Sequence, residues 1–157
     1  MSTPGPNPAP RLIRMPPPLW ALAALLVALA IHLAHDWAPA LRVFPLGLVL
    51  IVVGVALAAW ARLIFARRGA EILPASRINS KLVEEGPFRV SRNPMYLGGL
   101  AAALGIALAV GTLPFFLVPA FLFWILARHF IPFEEAKMER QFEGAYRAYK
   151  ARVRRWI

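Results

Sequence analysis

The chain has 157 residues, is 59% hydrophobic, carries a formal charge of +10 and contains no cysteine; its mean hydropathy is +0.58. This composition excludes an ordinary soluble domain, and the lack of cysteine excludes disulfides, thiolate nucleophiles and thiolate-held metals. The basic excess points to topology and to anionic headgroups, so no nucleic-acid partner is expected.

In chain order, the Pro-rich stretch from Pro4 to Pro18 has no apolar face to bury and reads as a flexible lead over residues 1–17, ahead of one membrane domain over residues 18–157. Arg11 and Arg14, the apolar run after them and Ala38-Pro39-Ala40 have the outline of a cleaved signal peptide, but the run is longer than a signal core and its leader is long. Four stretches come near the roughly 20 residues a helix needs to cross the hydrocarbon: Pro18 to His35, Leu41 to Phe65, Met95 to Thr112 and Leu113 to Ile131. The loops between them are short, so an all-α polytopic bundle of about four transmembrane helices is expected.

Of the Lys and Arg residues, only Arg42 falls at the join of the first and second spans. The others lie before the first span, around the loop between the second and third, or from Arg128 onward. An even number of spans puts those regions on one face, and the positive-inside rule makes that face, with both termini, cytoplasmic. The second span ends in a basic collar of Arg62, Arg67 and Arg68, whose long side chains can reach headgroups. Trp20, Trp37 and Trp60 stand near span ends as interfacial anchors. Gly47, Gly54, Gly98, Ala102 and Gly105 would let helices approach closely. His32 and His35 are one helical turn apart, but only Asp36 is near, so interfacial hydrogen bonding is expected there and no metal site.

Between the second and third spans lies a polar, arginine-bearing segment, GPFRVSRNPMYLGG, from Gly86 to Gly99. Charge and irregular backbone next to hydrocarbon must find partners, so this segment is where a site is expected. Pro94 suits the first turn of a helix and Asn93 its N-cap. The free N–H groups of such a helix start suit an anionic group such as a carboxylate, although an ordinary cap has the same sequence. The third and fourth spans meet at Gly111-Thr112-Leu113-Pro114, a tight turn that makes a hairpin. Its open ends bring Arg92-Asn93-Pro94 to the same depth as Arg128, His129 and Glu134-Glu135. The two carboxylates can bind a ligand ammonium or a ribose, or pair with Arg89, Arg92 or Arg128. His129 is either a proton acceptor or a helix-end residue.

Beyond them, Met138, Phe142, Ala145, Tyr149, Val153 and Trp156 recur at helical spacing, with Lys137, Arg140, Arg147, Lys150 and Arg154 on much of the remaining surface. This is a C-terminal amphipathic cytosolic helix, placed either on the membrane surface or folded back as a lid. Tyr146 and Tyr149 can offer hydroxyls to a ligand or simply pack.

Together these motifs, from about Lys81 to the C-terminus, resemble the integral-membrane methyltransferases, which include isoprenylcysteine carboxyl methyltransferases and phospholipid N-methyltransferases. The resemblance implies a cytosol-facing pocket for S-adenosylmethionine and a lipophilic acceptor in the membrane. Carried over by position, Arg92, Asn93, Pro94, Tyr96 and Gly98 would form one wall and Glu134 and Glu135 the other, with Tyr146 and Tyr149 in the cap. Gly86 and Phe88 would shape the approach. Arg89, Arg92 and Glu135 are the residues expected to serve the chemistry. Three departures stand out: Asn93 where many members have His, Glu143 where the family often has Gly, and Arg154 in place of a frequent Pro. A membrane reductase using NADPH and a noncatalytic interaction protein are the alternatives.

Overall fold

A computed structural model describes residues 11–69 and 81–157. The first part of the expected lead, Pro4 to Pro10, lies outside the described residues. The elements in order are α1 (Arg11–Arg14), α2 (Pro17–Ala34), α3 (Phe44–Arg67), a 3₁₀ turn (Gly86–Arg89), α4 (Pro94–Val110), α5 (Leu113–Ile125), a π turn (Leu126–Phe130) and α6 (Ile131–Arg152). Among the described residues the only β pairing is an isolated bridge between Ser91 and Arg154. The architecture is all-α, as expected. Among the described residues three helical stretches are long and apolar enough to cross a membrane, Pro17–Ala34, Phe44–Arg67 and Leu113–Arg152, the last turning polar at Glu134 and kinked at Glu143, and Pro94–Val110 is a shorter apolar helix of 17 residues.

Prolines start the helices. α2, α3, α4 and α5 carry Pro in the first turn, where the missing N–H leaves no bond unmade and φ is already helical. The α4–α5 hairpin closes as its sequence predicts: Gly111 adopts φ 85°, which a Cβ would disfavour, and its N–H bonds the Ala107 carbonyl. The loop from α2 then crosses over this turn, with the N–H groups of Ala40 and Leu41 donating to the Gly111 carbonyl. Arg42, the lone cation at this end, donates from Nε to the Ala109 carbonyl at 3.2 Å, close to the negative end of α4.

α3 and α4 pack along a seam of small residues. A Cβ on Gly54 would come 2.5 Å from the Gly98 carbonyl oxygen, and one on Gly47 would come 2.6 Å from that of Gly105. The backbones therefore touch, as the small-residue spacing anticipated. α2 packs instead on α5, through a core of Ala28, Ala103, Ala107, Phe115, Val118 and Leu122. The order around the bundle is thus α3, α4, α5, α2, and no comparable packing closes α2 onto α3.

Two features differ from the sequence-based expectation. The amphipathic helix follows the last span without a loop: α5 runs on into α6 through the π turn, in which the Ile131 N–H bonds the Leu126 carbonyl, and the break comes only later, at Glu143, where the backbone of α6 is non-helical. The wider turn lets the helix pass Pro132, which has no N–H to offer the carbonyl behind it. The lead is also not loose throughout, because Ile13 is buried against Ile125, Leu126, Phe130 and Ile131, and the Trp20 indole donates to the Leu12 carbonyl at 3.2 Å.

Candidate active site

The hairpin brings the start of α4 and the first turns of α6 side by side, and the side chains join at short range. The Tyr96 hydroxyl donates to Glu134 Oε1 at 2.6 Å. Arg92 Nη2 donates to Glu135 Oε1 at 2.8 Å. Both pairs link residues about forty positions apart, which the spans alone bring together.

The C-terminal strand of chain completes the cluster. Arg155 binds Glu135 with two nitrogens, Nη2 at 2.6 Å from Oε2 and Nε at 3.2 Å from Oε1. Arg92 also donates from Nη1 to the carbonyls of Lys150 and Val153, and its backbone N–H bonds the Arg154 carbonyl at 3.0 Å. Asn93 takes the N-cap position of α4, as expected, but its side chain makes no capping bond. Its amide reaches instead to the Arg155 carbonyl at 3.0 Å. The Tyr149 hydroxyl donates to the Phe88 carbonyl at 2.7 Å, which ties α6 to the 3₁₀ turn. These bonds hold the end of the chain across the polar end of the bundle as a cover.

Beneath that cover lies a cavity of about 780 Å³. Its polar end is lined by Arg92, Asn93, Tyr96, Glu134, Glu135 and Tyr146, with Pro94 and Gly98 on the α4 wall. From there it runs between α2 and α3, past Trp20, Ala21 and Leu25 on one side and Val55, Ala58 and Ala59 on the other. One cavity thus joins a polar head to an apolar seam.

The residues of the head differ in how free they are. Glu135 is buried and both its oxygens are taken by Arg92 and Arg155, so it is a clamp for two cations rather than an open acceptor. Arg92 Nε, by contrast, is buried with no hydrogen-bond partner among the described residues. A donor of this kind carries a desolvation cost unless a ligand acceptor meets it. Glu134, beyond the apolar part of its helix, has one oxygen bonded to Tyr96. Burial pushes its carboxyl up to about 7, partly opposed by the Tyr96 hydrogen bond and by the charge of Lys137. Burial also raises the Tyr146 phenol, so it stays a neutral donor at physiological pH.

Other expectations land elsewhere. Arg89 does not line this cavity; it is exposed and borders a second hollow with Arg68, Lys81, Glu84, Glu85 and Arg152. The 3₁₀ turn directs it away from the head while burying Phe88. Arg128 and His129 are also absent from the cavity wall, and His129 sits edge-on to Trp124 with ring centroids 5.4 Å apart. Gly98 is fixed by its contact with Gly54 as much as by any ligand. His32 bonds Thr112 through Nδ1, 3.2 Å from Oγ1. Sequence reasoning missed Arg155 and Ser91, whose hydroxyl accepts from the Asn93 N–H at 3.1 Å. Arg155 stands in the basic run Val153 to Trp156, but nothing in that run identifies Glu135 as its partner.

The head fits an amphoteric ligand: a cation with an unmet donor, an acid opposite, and tyrosine rings around them. S-adenosylmethionine has a carboxylate, an ammonium and aromatic surface to match. Comparison with known sequences agrees with this chemistry. The sequence model of the phospholipid methyltransferase family matches residues 42–145, more than half of the chain. Searches of curated proteins and of solved structures each return no match. The matched region includes α3, both walls of the head and the α4–α5 hairpin, and stops before Tyr146 and Arg155.

Proposed function

The chain belongs to the phospholipid methyltransferase family of S-adenosylmethionine-dependent membrane enzymes, and from that premise we propose that it methylates a lipid acceptor in the cavity between α2, α3, α4 and α6, at the cytosolic face. The observation that carries this reading is the continuity of the polar head with the apolar seam. The distribution of Lys and Arg supports the cytosolic placement.

S-adenosylmethionine supplies an activated sulfonium methyl when bound, so no nucleophilic triad or metal is needed. What remains for the protein is alignment and exclusion of water. Arg92 offers its unpaired Nε–H to the carboxylate, and Glu134, oriented by Tyr96, takes the ammonium. Arg155 and Glu135 hold the end of the chain over the head and keep Arg92 in place. The acceptor's tail occupies the apolar run between Leu25 and Val55. The sequence-based assignment of Arg89 to the chemistry is not kept, and Glu135 becomes a positioning residue.

Titration of the purified protein in detergent tests the reading. Saturable binding of S-adenosylmethionine and none of NADPH is expected, and binding of NADPH or of neither would overturn it. Arg92→Ala should weaken the affinity about tenfold, the size of one charge-assisted bond. A cationic ligand group beside Glu134 favours its charged form. Affinity should therefore rise as pH goes from about 6 to about 8 and the carboxyl ionises through its value of about 7, and Glu134→Gln should flatten that rise. The sign for stability is the opposite one. A folded-state value raised from 4.5 to about 7 means that the fold holds this proton more tightly, so its contribution is complete below about 4.5 and is lost as pH climbs through 7.

A further inference from the structure

Three basic side chains line the cavity: Arg62, Arg92 and Lys137. Arg92 is paired with Glu135, and Lys137 is buried within reach of the Glu134 charge. Arg62 has no hydrogen-bond or ion-pair partner among the described residues, although neighbouring arginines do: Arg68 is held by Glu85 and Arg152 by Glu84. Its depth follows from the α3–α4 register. Gly54 lies against Gly98, and a Cβ on Gly98 would lie 2.8 Å from the Ala58 nitrogen. One turn further along antiparallel α3, Arg62 is level with the first turn of α4, where Asn93 and Tyr96 sit. Val55, Ala59 and Arg62 follow one another at helical spacing along the α3 side of the cavity. The track is therefore apolar for about 10 Å and then ends in a free guanidinium.

We propose that Arg62 selects the acceptor by binding a phosphate that lies between its acyl chains and the atom to be methylated. This rests on the reading above that a lipid reaches the cavity through the α2–α3 seam. A chain laid along Val55 and Ala59 brings the first polar group of the lipid to Arg62, whose planar fork suits a phosphate held by two bonds. The reacting atom must then continue across the cavity to the Tyr96–Glu134 side, which stands on α4 and α6 rather than on α3. A phosphodiester amine has its nucleophile a few bonds beyond its anion and meets both demands. An acceptor whose single anion is the attacking carboxylate itself would be held at the wrong wall.

Binding of two fluorescent probes to the full chain in neutral detergent tests this. One is an acyl-labelled phosphatidylethanolamine, the other a long-chain primary amine with the same label and no phosphate. Arg62→Gln should weaken the phospholipid about tenfold, change the simple amine less than twofold, and leave S-adenosylmethionine affinity unaltered; Arg62→Lys should fall between wild type and Arg62→Gln. Equal effects on both probes, or no effect on either, would overturn the assignment. The outcomes separate the two readings. Binding of phospholipid that depends on Arg62 without any binding of S-adenosylmethionine would strike the methyl-transfer reading alone. Binding of S-adenosylmethionine with lipid binding indifferent to Arg62 would strike this one alone.

Discussion

The two sides of α3 are built to opposite rules. Toward α4, Gly47 and Gly54 meet Gly105 and Gly98 with backbone against backbone, and no side chain larger than a hydrogen fits between. Toward α2, the same helix presents Val55 and Ala59 to a cavity, and α2 rests on α5 instead. In hydrocarbon the hydrophobic effect does not draw helices together, so a seam closes only where shape lets atoms touch. The glycines decide which seam of the bundle is structural, and their absence from the facing side of α2 leaves the other available to a lipid.

Adjacent glycines give the sharpest way to break that comparison. Gly98→Leu drives a branched side chain into the α3 backbone and should lower stability by about 3 kcal/mol or more, read as loss of folded protein on heating in detergent. A variant that melts like wild type would mean that the seam is not packed as described. On the open side, Ala59→Phe should leave melting within about 0.5 kcal/mol yet slow labelled methyl transfer into vesicle lipid about tenfold, with S-adenosylmethionine affinity retained. A wild-type transfer rate would remove Ala59 from the acceptor's path. The smallest effect is at Gly99, where an added Cβ meets nothing within 4 Å. Gly99→Ala should raise stability by about 0.5–1 kcal/mol through helix propensity, and destabilisation there would show that the two sides are not distinct.

The spans, the hairpin turn and the convergence of Arg92 with Glu134 and Glu135 were legible because they depend on local rules: run length, proline and glycine placement, and the positions of charge; Tyr96 came from the family resemblance. Family resemblance added the donor. What was not legible depends on tertiary partners. Asn93 takes the cap position its sequence offers, but its side-chain N–H donates to the Arg155 carbonyl, supplied from the far end of the chain, a partner no local rule gives. For Glu135 the sequence leaves open both a ligand and a pair with Arg92; the fold makes that pair and adds Arg155, which no local signal indicates. The sequence of α2 lacks the glycines of the closed seam but does not say which residues border a cavity, because Trp20, Ala21 and Leu25 both line it and pack on the α5 core. Glu143 is an intermediate case. The resemblance marked it as standing where Gly is usual, and its backbone has φ 39° and ψ −112°, a conformation that favours glycine. Glu143→Gly should therefore stabilise the fold by about 1 kcal/mol, measurable in the same melts.

The most direct test of a single cavity serving donor and acceptor is to close the α2–α3 side covalently. The chain has no native cysteine, so Ala21→Cys with Val55→Cys can be bridged by a flexible bis-maleimide without other reaction. The bridged protein should bind S-adenosylmethionine as wild type does, but no longer transfer a labelled methyl group to vesicle lipid. Undiminished transfer by the bridged protein would contradict a single cavity.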